Sequence, residues 1–218
     1  MIRTVIFDMD GTLVSTEPIY FKCYQQAAAE QGLNFTFELF EKCIGISTEE
    51  ALPMVISYFG RKVDVDAIYK GCCRNFEKYM QTNPIPLKPG ARQAVEYFHK
   101  RGFKLGIATS NIHEWVSKIL RKNQLDPYFS VMVTSEDVTM PKPDPEVYLR
   151  CAQQLHTDVA QCLAFDDSVA GATAAISAGM RTVVVPDLKQ PDTFVRENAF
   201  KIYKSLEDIY PDMDELLG

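Results

Sequence analysis

Hydrophobic and polar positions divide the chain into three stretches with different periodicities. The first contains a short apolar run, Val5–Phe7, which is typical of a buried strand. Between residues 15 and 83 the apolar positions recur at helical spacing, and no strand pattern appears. From residue 91 onward helix and strand patterns alternate, which predicts a parallel sheet with helices on both faces.

The middle stretch predicts four helices. Ser15 or Thr16 is a suitable cap for the first helix, and Ser47–Glu50 forms a capping box for the third. The predicted limits of the four helices are residues 17–32, 37–42, 47–60 and 64–80. The following segment, residues 82–90, is the richest in proline and glycine and is predicted to be the return linker.

The third stretch predicts alternating helices and strands. The predicted strands are residues 103–108, 131–133, 161–165 and 181–185. The predicted helices are residues 91–101, 113–122 and 169–178, with one more that Asp144 caps and Pro145 begins. After residue 185 we expect less regular helical segments. The fold class is therefore α/β: a Rossmann-like parallel-sheet core with helices on both faces, residues 1–14 and 87–218, and an inserted all-α domain, residues 15–86.

Composition narrows the possible classes of function. The 218 residues are 46% hydrophobic and carry a net charge of −6, which disfavours nucleic-acid binding because phosphate backbones require clustered lysine and arginine. No apolar run approaches the roughly 20 residues that span a bilayer, so we expect no membrane segment. The six cysteines form no C-x-x-C pair and no zinc spacing, so we expect reduced thiols in a cytoplasmic protein.

Polar side chains follow several of the predicted strands. In an open parallel sheet, ligands bind beyond the carboxyl ends of the strands. The residues that this rule brings to one edge are Asp8, Asp10, Thr109, Ser110, Asn111, Lys142, Asp166 and Asp167. Four carboxylates at one edge require a positive ion, and oxygen ligands favour Mg²⁺ over zinc. The set therefore predicts a magnesium site.

The same residues are suited to phosphoryl transfer. Asp8 is the better candidate for a nucleophile that forms an acyl-phosphate, and Asp10 for the group that protonates the leaving oxygen and later deprotonates water. Lys142 adds a fixed positive charge, and Thr109 with the backbone N–H groups after it suits an anion. Carboxylates, Mg²⁺, a lysine and an amide-rich turn together favour phosphoryl transfer.

Four stretches of the chain, in order, resemble the sequence motifs of the haloacid dehalogenase superfamily. They are Asp8-x-Asp10-Gly11-Thr12, Thr109-Ser110-Asn111, Lys142-Pro143 and Asp166-Asp167-Ser168. The helical insert after the first motif resembles the subfamily with an α-helical cap. Residues 166–171 and 178–180 are similar to the beta-phosphoglucomutase-like group. The resemblance covers most of the core and the location of the cap.

The resemblance implies a role for each matching residue. Asp8 is the implied aspartyl nucleophile and a Mg²⁺ ligand, and Asp10 is the implied acid/base, whose backbone carbonyl also binds the metal. Thr109, with Ser110 and Asn111, is implied to hold the transferring phosphoryl group. Lys142 is implied to bridge that group and the nucleophile.

The resemblance also implies further ligands, a substrate and an assembly. Asp167 is an implied direct ligand of Mg²⁺, and Asp166 an implied ligand that binds directly or through water. Glu17 and Tyr20 face the cleft between cap and core in the family geometry, so they are predicted substrate contacts. The implied substrate is a small phosphorylated metabolite, a sugar phosphate by class, and the implied assembly is a monomer.

A phosphosugar mutase, which is an isomerase, is an alternative interpretation of the same motifs. In the mutase pattern a histidine stands at the position of Tyr20 and an arginine at that of Thr48. Both departures remove groups that hold a second phosphate, so hydrolysis is favoured. Arg74 and Lys78, at helical spacing in the last cap helix, are either alternative phosphate contacts or a solvated helix face.

A second alternative is a non-enzymatic phosphoacceptor switch of the response-regulator kind, which also combines an acidic pocket, Mg²⁺, a threonine and a lysine. Such receivers are shorter, have no long helical insert after the first strand, and have no need of a second carboxylate such as Asp10 beside the nucleophile. A cap over the site indicates instead closure on a small substrate. The sequence therefore predicts a Mg²⁺-dependent phosphomonoester hydrolase.

Overall fold

The computed structural model describes residues 1–44, 48–60 and 63–218, with the backbone alone at residues 48–50. Two compact units make up the described chain. The larger unit consists of Met1–Ser15 and Ile85–Gly218, and the smaller unit is Thr16–Pro84. The chain therefore leaves the larger unit one residue later than predicted and returns to it two residues earlier.

The smaller unit is helical throughout its described part. Its helices are α1 (Glu17–Ala29), α2 (Phe37–Cys43), α3 (Thr48–Phe59) and α4 (Val65–Thr82). Helices α1 and α4 pack closely, because a β-carbon on Gly71 would lie 2.7 Å from the β-carbon of Ala27. Aromatic rings fill the space beside this contact, with Tyr24 stacked on Phe35 at a centroid distance of 5.3 Å. The unit thus has an apolar interior of its own.

Six parallel strands form one sheet within the described part of the larger unit. In chain order they are β1 (Thr4–Phe7), β2 (Lys104–Ala108), β3 (Val131–Val133), β4 (Cys162–Asp166), β5 (Arg181–Val184) and β6 (Lys201–Ile202). Their order across the sheet is β3-β2-β1-β4-β5-β6. Strand β1 lies at the switch point of this order, where ligands bind in doubly wound folds. The predicted Rossmann-like fold class is confirmed.

The two strands at the centre of the sheet are buried on both faces. Every residue of β1 and of β4 is buried, which explains why both are continuous apolar runs rather than alternating ones. Phe7 pairs in register with Ile107 on one side and Phe165 on the other. The rings of Phe7 and Phe165 stack with centroids 5.0 Å apart. This register aligns the carboxyl ends of three strands.

Helices cover both faces of the sheet. They are α5 (Ala91–Lys100), α6 (His113–Lys122), α7 (Glu146–Gln154), α8 (Val169–Ser177), α9 (Thr193–Asn198) and α10 (Met213–Leu217). Ser168 caps α8, because its Oγ accepts the N–H of Gly171 at 2.9 Å. Helix α7 buries the whole Tyr148 side chain in the core. These two helices support the strand end that carries the acidic pair.

The two connections between the units are tied together inside the larger unit. Val14 forms one bridge with Asp10 and an antiparallel bridge with Leu87. The N–H of Ser15 donates to the carbonyl of Pro86 at 2.8 Å. The residues where the chain leaves and returns are therefore neighbours.

Several predicted boundaries are wrong. Thr16 precedes α1 but accepts no capping hydrogen bond from it. Helix α7 begins at Glu146, not Pro145, and Asp144 accepts the N–H of Glu146. Strand β6 was not predicted, because a two-residue edge strand has no detectable periodicity. The predicted capping residue Ser47 lies outside the described residues. No helix in the described ranges is long and apolar enough to cross a membrane.

Candidate active site

Each candidate residue of the larger unit follows the carboxyl end of a strand. Asp8 comes directly after β1, Thr109 comes directly after β2, and Asp166 is the last residue of β4. Lys142 lies in the segment between β3 and α7. The N–H of Asp8 donates to the carbonyl of Phe165 at 2.8 Å, so the pairing of β1 with β4 continues to Asp8. The backbone thereby fixes the position of Asp8.

The ammonium group of Lys142 joins two of these strand ends. Its Nζ lies 2.7 Å from Oδ1 of Asp8 and 2.9 Å from Oδ2 of Asp166. The side chains of Lys142, Asp8 and Asp166 are only 7%, 9% and 0% exposed. Little water screens these charges, so their mutual attraction is much stronger than at a protein surface.

The carboxylate of Asp166 accepts four hydrogen bonds. Its Oδ2 accepts from Tyr148 OH at 2.6 Å as well as from Lys142. Its Oδ1 accepts from the backbone N–H and the hydroxyl of Ser168, both at 2.9 Å. Asp166 is therefore held as an anchor for Lys142, and both of its oxygens are occupied.

Burial and charge shift the pKa values of this cluster. Burial raises the pKa of Asp8 well above its ordinary value, against the attraction of Lys142 and with added repulsion from Asp166. Burial opposes the charged form of Lys142, but the charges of Asp166 and Asp8 outweigh it and raise the pKa of Lys142. Burial, with the charge of Asp166, also raises the pKa of Tyr148. Lys142 and Tyr148 thus keep their protons at neutral pH.

Asp167 lies against the turn that follows Asp8. Its Oδ1 accepts the hydroxyl hydrogen of Thr12 at 3.1 Å. Gly11 has a φ of +85° and leaves the space that the Asp167 carboxylate occupies. The glycine of the first motif is therefore needed both for the turn and for the approach of the fourth motif.

A fourth strand end adds an ion pair beside Asp167. Asp187 follows β5, and its Oδ1 lies 2.6 Å from Nζ of Lys88. Carboxylate oxygens of Asp187 and Asp167 lie within 4.8 Å of each other. The N–H of Lys88 donates to the carbonyl of Leu13 at 2.9 Å, which ties the ion pair to the turn after β1. This places a charged pair next to Asp167.

Asn111 orients the second aspartate of the first motif. Its Nδ2 donates to Oδ2 of Asp10 at 3.1 Å. The N–H of Asn111 donates to Oγ1 of Thr109 at 3.2 Å, and Thr109 is buried. Ser110, between them, is exposed. The structure therefore brings Thr109 and Asn111 into the same hydrogen-bonded group as Asp10.

The donor atoms of this edge fit a divalent cation that prefers oxygen. Asp8, Asp10 and Asp167 follow neighbouring strands and offer carboxylate and carbonyl oxygens, which are hard ligands of the type that Mg²⁺ binds. Asp166 differs from them, because its oxygens already accept hydrogen bonds from Lys142, Tyr148 and Ser168. The assignment of Asp8, Asp10, Asp167 and Asp166 as metal ligands stays a prediction, and Asp166 is the one whose two oxygens both accept hydrogen bonds.

The predicted substrate contacts belong to the smaller unit. Glu17 accepts a hydrogen bond from the hydroxyl of Thr16 at 3.5 Å. The ring of Tyr20 stacks on Phe76 with centroids 4.3 Å apart. Tyr20 thus contributes packing within that unit, and its role toward a substrate remains a prediction.

Sequence reasoning missed three residues of the larger unit that belong to this cluster: Tyr148, Lys88 and Asp187. Asp187 could have been found, because it follows a predicted strand just as Asp8 and Asp166 do. Tyr148 gave no such signal, since a tyrosine on the apolar face of a helix is ordinarily a packing residue.

The chain is similar to several known proteins. A model of the haloacid dehalogenase-like hydrolase family matches residues 5–185. The phosphorylated carbohydrates phosphatase of Thermotoga maritima is 32% identical over 217 residues, covering 99% of this chain and 100% of that protein. Hexitol phosphatase B of Escherichia coli is 29% identical over 202 residues, covering 85% and 84%. The crystal structure of a candidate beta-phosphoglucomutase from Thermotoga maritima has a TM-score of 0.81 at 30% identity, covering 99% and 100%.

These matches extend far beyond the four motifs, since they include nearly the whole chain. The resemblance drawn from the motifs is confirmed, and so is the prediction of an enzyme of the phosphatase class. The chain belongs to the haloacid dehalogenase-like hydrolase family.

Proposed function

We propose that the protein is a Mg²⁺-dependent phosphomonoester hydrolase that acts on a small phosphorylated metabolite, a sugar phosphate by class, through an aspartyl-phosphate. The observation that carries the proposal is the ammonium of Lys142, 2.7 Å from Asp8 in a site with little exposure to water. A fixed cation beside a buried carboxylate lowers the repulsion that a phosphate ester meets as it approaches. The names of the relatives support the substrate class.

In the proposed first step, a carboxylate oxygen of Asp8 forms a bond to phosphorus while the bond from phosphorus to the ester oxygen breaks. Asp10, oriented by Asn111, gives a proton to the leaving oxygen. Lys142 holds a phosphoryl oxygen and Thr109 lies at the same edge. Bound Mg²⁺, held by Asp8, Asp10 and Asp167, would supply further charge neutralisation.

In the proposed second step, water attacks the phosphorus of the aspartyl-phosphate and the bond to Asp8 breaks. Asp10 takes the proton from that water, and this proton transfer returns Asp10 to the state in which it can begin the next cycle. Inorganic phosphate leaves, and the Asp8 carboxylate is restored.

A phosphosugar mutase is the second candidate, favoured by the likeness to a candidate beta-phosphoglucomutase. Against it, the histidine position of the mutase pattern holds Tyr20, whose ring is used in stacking on Phe76. The side chain of Thr48 lies outside the described residues. Arg74 is exposed and lies 3.5 Å from Glu30, so it already has a partner for its charge. Hydrolysis therefore remains the preferred proposal.

The test is phosphate release from 4-nitrophenyl phosphate and a panel of sugar phosphates, with Mg²⁺ or with EDTA. The wild type is compared with Asp8→Asn and with Asp158→Asn, a matched control whose carboxylate accepts the N–H of Ala160 before β4. We expect Mg²⁺-dependent release that Asp8→Asn abolishes and Asp158→Asn retains. Interconversion of glucose 1- and 6-phosphates without release would establish the mutase. Stable phosphorylation of Asp8 without turnover would establish the phosphoacceptor switch.

A cytoplasmic location and a monomeric state stay predictions of this proposal. Light scattering of the purified protein at several concentrations tests the assembly. We expect a mass equal to that of one chain, 24.7 kDa, at each concentration.

A further inference from the structure

Tyr148 places a hydroxyl group deep in the core of the larger unit. The residue is fully buried, and its ring packs among the apolar side chains between α7 and the sheet. A phenylalanine would fill the same apolar volume without a polar atom. The presence of the hydroxyl is therefore not explained by packing, because burying a polar group costs free energy unless it is hydrogen-bonded.

The partner of that hydroxyl is Asp166, at a distance of 2.6 Å. Asp166 has little freedom to turn away from it. Its other oxygen is held by two hydrogen bonds from Ser168, and a β-carbon on Gly171 would lie only 2.0 Å from Oδ2. Ser168 and the backbone of Gly171 thus fix the carboxylate plane, and Oδ2 keeps a constant position.

Two donors share Oδ2 of Asp166: the hydroxyl of Tyr148 and the ammonium of Lys142. The same ammonium also donates to Asp8 and lies 5.0 Å above the ring of Tyr148. A carboxylate oxygen that already accepts a strong hydrogen bond attracts a second donor less. The hydroxyl of Tyr148 therefore sets how far Lys142 is drawn toward Asp166 and away from Asp8.

We propose that Tyr148 is a positioning residue of the active site, which acts through Asp166 to keep the Lys142 ammonium within reach of Asp8 and of a phosphoryl oxygen. This inference rests on the proposed function, because it assigns Lys142 to that reaction. Without the hydroxyl, Asp166 draws the ammonium toward itself, and the ammonium is misplaced for phosphoryl transfer while the substrate-binding surface is unchanged.

The test compares Tyr148→Phe with Tyr203→Phe. Tyr203 is a matched control, because its hydroxyl also donates to an aspartate, Asp212, at 2.6 Å. Assays use 4-nitrophenyl phosphate at saturating Mg²⁺. For Tyr148→Phe we expect kcat to fall about tenfold and KM to change by less than about twofold, since a small displacement of a catalytic group acts mainly on the chemical step. Tyr203→Phe should leave both constants unchanged.

A second measurement reports on Lys142 without using activity. Lysine ammonium signals are recorded by NMR on protein labelled with ¹⁵N-lysine, and the Lys142 signal is assigned by its loss in Lys142→Arg. We expect Tyr148→Phe to shift this signal and Tyr203→Phe to leave it in place. Both variants should fold, which thermal unfolding verifies.

The outcomes separate this inference from the proposed function. An unshifted Lys142 signal in Tyr148→Phe, or a kcat equal to that of Tyr203→Phe, overturns the positioning role. If the wild type releases no phosphate, or if its release does not depend on Asp8, the proposed function is wrong instead. The NMR comparison still measures whether Tyr148 positions the ammonium.

Discussion

A β-carbon on Gly11 would lie 2.2 Å from Oδ2 of Asp167, far inside van der Waals contact. The turn after β1 and the acidic pair after β4 are therefore in contact at this glycine. Because both carry proposed metal ligands, the absence of a side chain at Gly11 has a direct chemical consequence that can be measured.

Gly11→Ala should inactivate the enzyme by moving Asp167. The residue also has a φ of +85°, so alanine is strained there as well. We expect phosphate release to fall by more than about 30-fold, because the methyl group displaces a proposed metal ligand from its geometry. Steady-state assays with 4-nitrophenyl phosphate measure the effect.

Gly102→Ala separates the clash from the backbone strain. Gly102 has a φ of +79°, and no described atom would lie within 4 Å of a β-carbon added there, so the variant carries the strain alone. Both variants should lose about 1 kcal/mol of unfolding free energy from the left-handed conformation. If Gly102→Ala loses as much activity as Gly11→Ala, the explanation based on Asp167 is wrong.

Lys88 and Asp187 should tune cation binding in opposite directions. The pair is mostly buried, with side chains 19% and 16% exposed, and Asp187 lies beside Asp167. Lys88→Met removes a positive charge and should tighten Mn²⁺ binding about fivefold, whereas Asp187→Asn leaves Lys88 uncompensated and should weaken binding by a similar factor. Titration calorimetry with Mn²⁺ measures both affinities.

The double variant is the control for this pair. When both charges are removed, Mn²⁺ affinity should return to within about twofold of the wild type, since the two electrostatic effects cancel. A general loss of structure would instead weaken binding in all three variants, which is the result that contradicts the prediction.

Asn111→Asp should lower kcat by disturbing Asp10. The substitution replaces a donor 3.1 Å from Asp10 with a second carboxylate, and like charges at this distance repel. We expect a decrease of about tenfold at pH 7, since the proposed acid/base loses its orientation. Asn198→Asp, which breaks a 2.8 Å hydrogen bond to Phe194 on an exposed surface, should leave kcat unchanged.

Asp137 should make stability depend on pH. The backbone N–H of Thr134 lowers the pKa of Asp137 below its ordinary 3.8, against the effect of burial and with help from the Thr134 hydroxyl. Because the folded-state pKa is the lower one, the stabilisation is present above pH 3.8 and is lost as pH falls through the folded value. Asp137→Asn should lower the free energy of unfolding by about 1 kcal/mol at pH 7, and this difference should shrink as pH falls below 3.8.

Urea unfolding at several pH values measures this difference. Thr134→Ser keeps both donors to Asp137 and should retain the wild-type pH dependence, whatever its absolute stability. A difference in unfolding free energy between wild type and Asp137→Asn that stays constant from pH 7 to well below pH 3.8 would show that the charge of Asp137 is not involved.

The strand ends could be predicted from the sequence because their signal is local. Asp8, Thr109 and Asp166 each follow an apolar run, and a parallel sheet aligns the ends of such runs. Lys142 has no strand directly before it, and its predicted place at this edge rests on its position in the loop that follows β3. The resemblance to family motifs adds only its role. In the structure, Lys142 forms ion pairs with Asp8 and Asp166, which explains why a lysine stands at this position.

The contacts of Tyr148 and Asp166 could not be predicted, because they depend on packing between elements that are far apart in the sequence. Tyr148 reaches Asp166 only because α7 lies against the sheet with its apolar face inward. The saturation of Asp166 by four donors likewise follows from the joint placement of α7, α8 and the Lys142 loop. The local sequence pattern shows Asp166 and Asp167 only as two adjacent carboxylates at a strand end, and the resemblance implies a direct metal contact for Asp167 and a direct or water-mediated one for Asp166. The structure gives them different surroundings.

The bridges that Val14 makes with Asp10 and Leu87 have a consequence for how such a protein can diversify. Because Val14 pairs with Leu87, the segments on either side of the insert are held together within the larger unit. Additions, deletions or exchanges within residues 16–84 therefore leave these flanking segments paired. The insert and the segments that carry Asp8 and Asp10 can therefore change separately during evolution. Inserts can be replaced while Asp8, the proposed nucleophile, keeps its backbone hydrogen bond to Phe165.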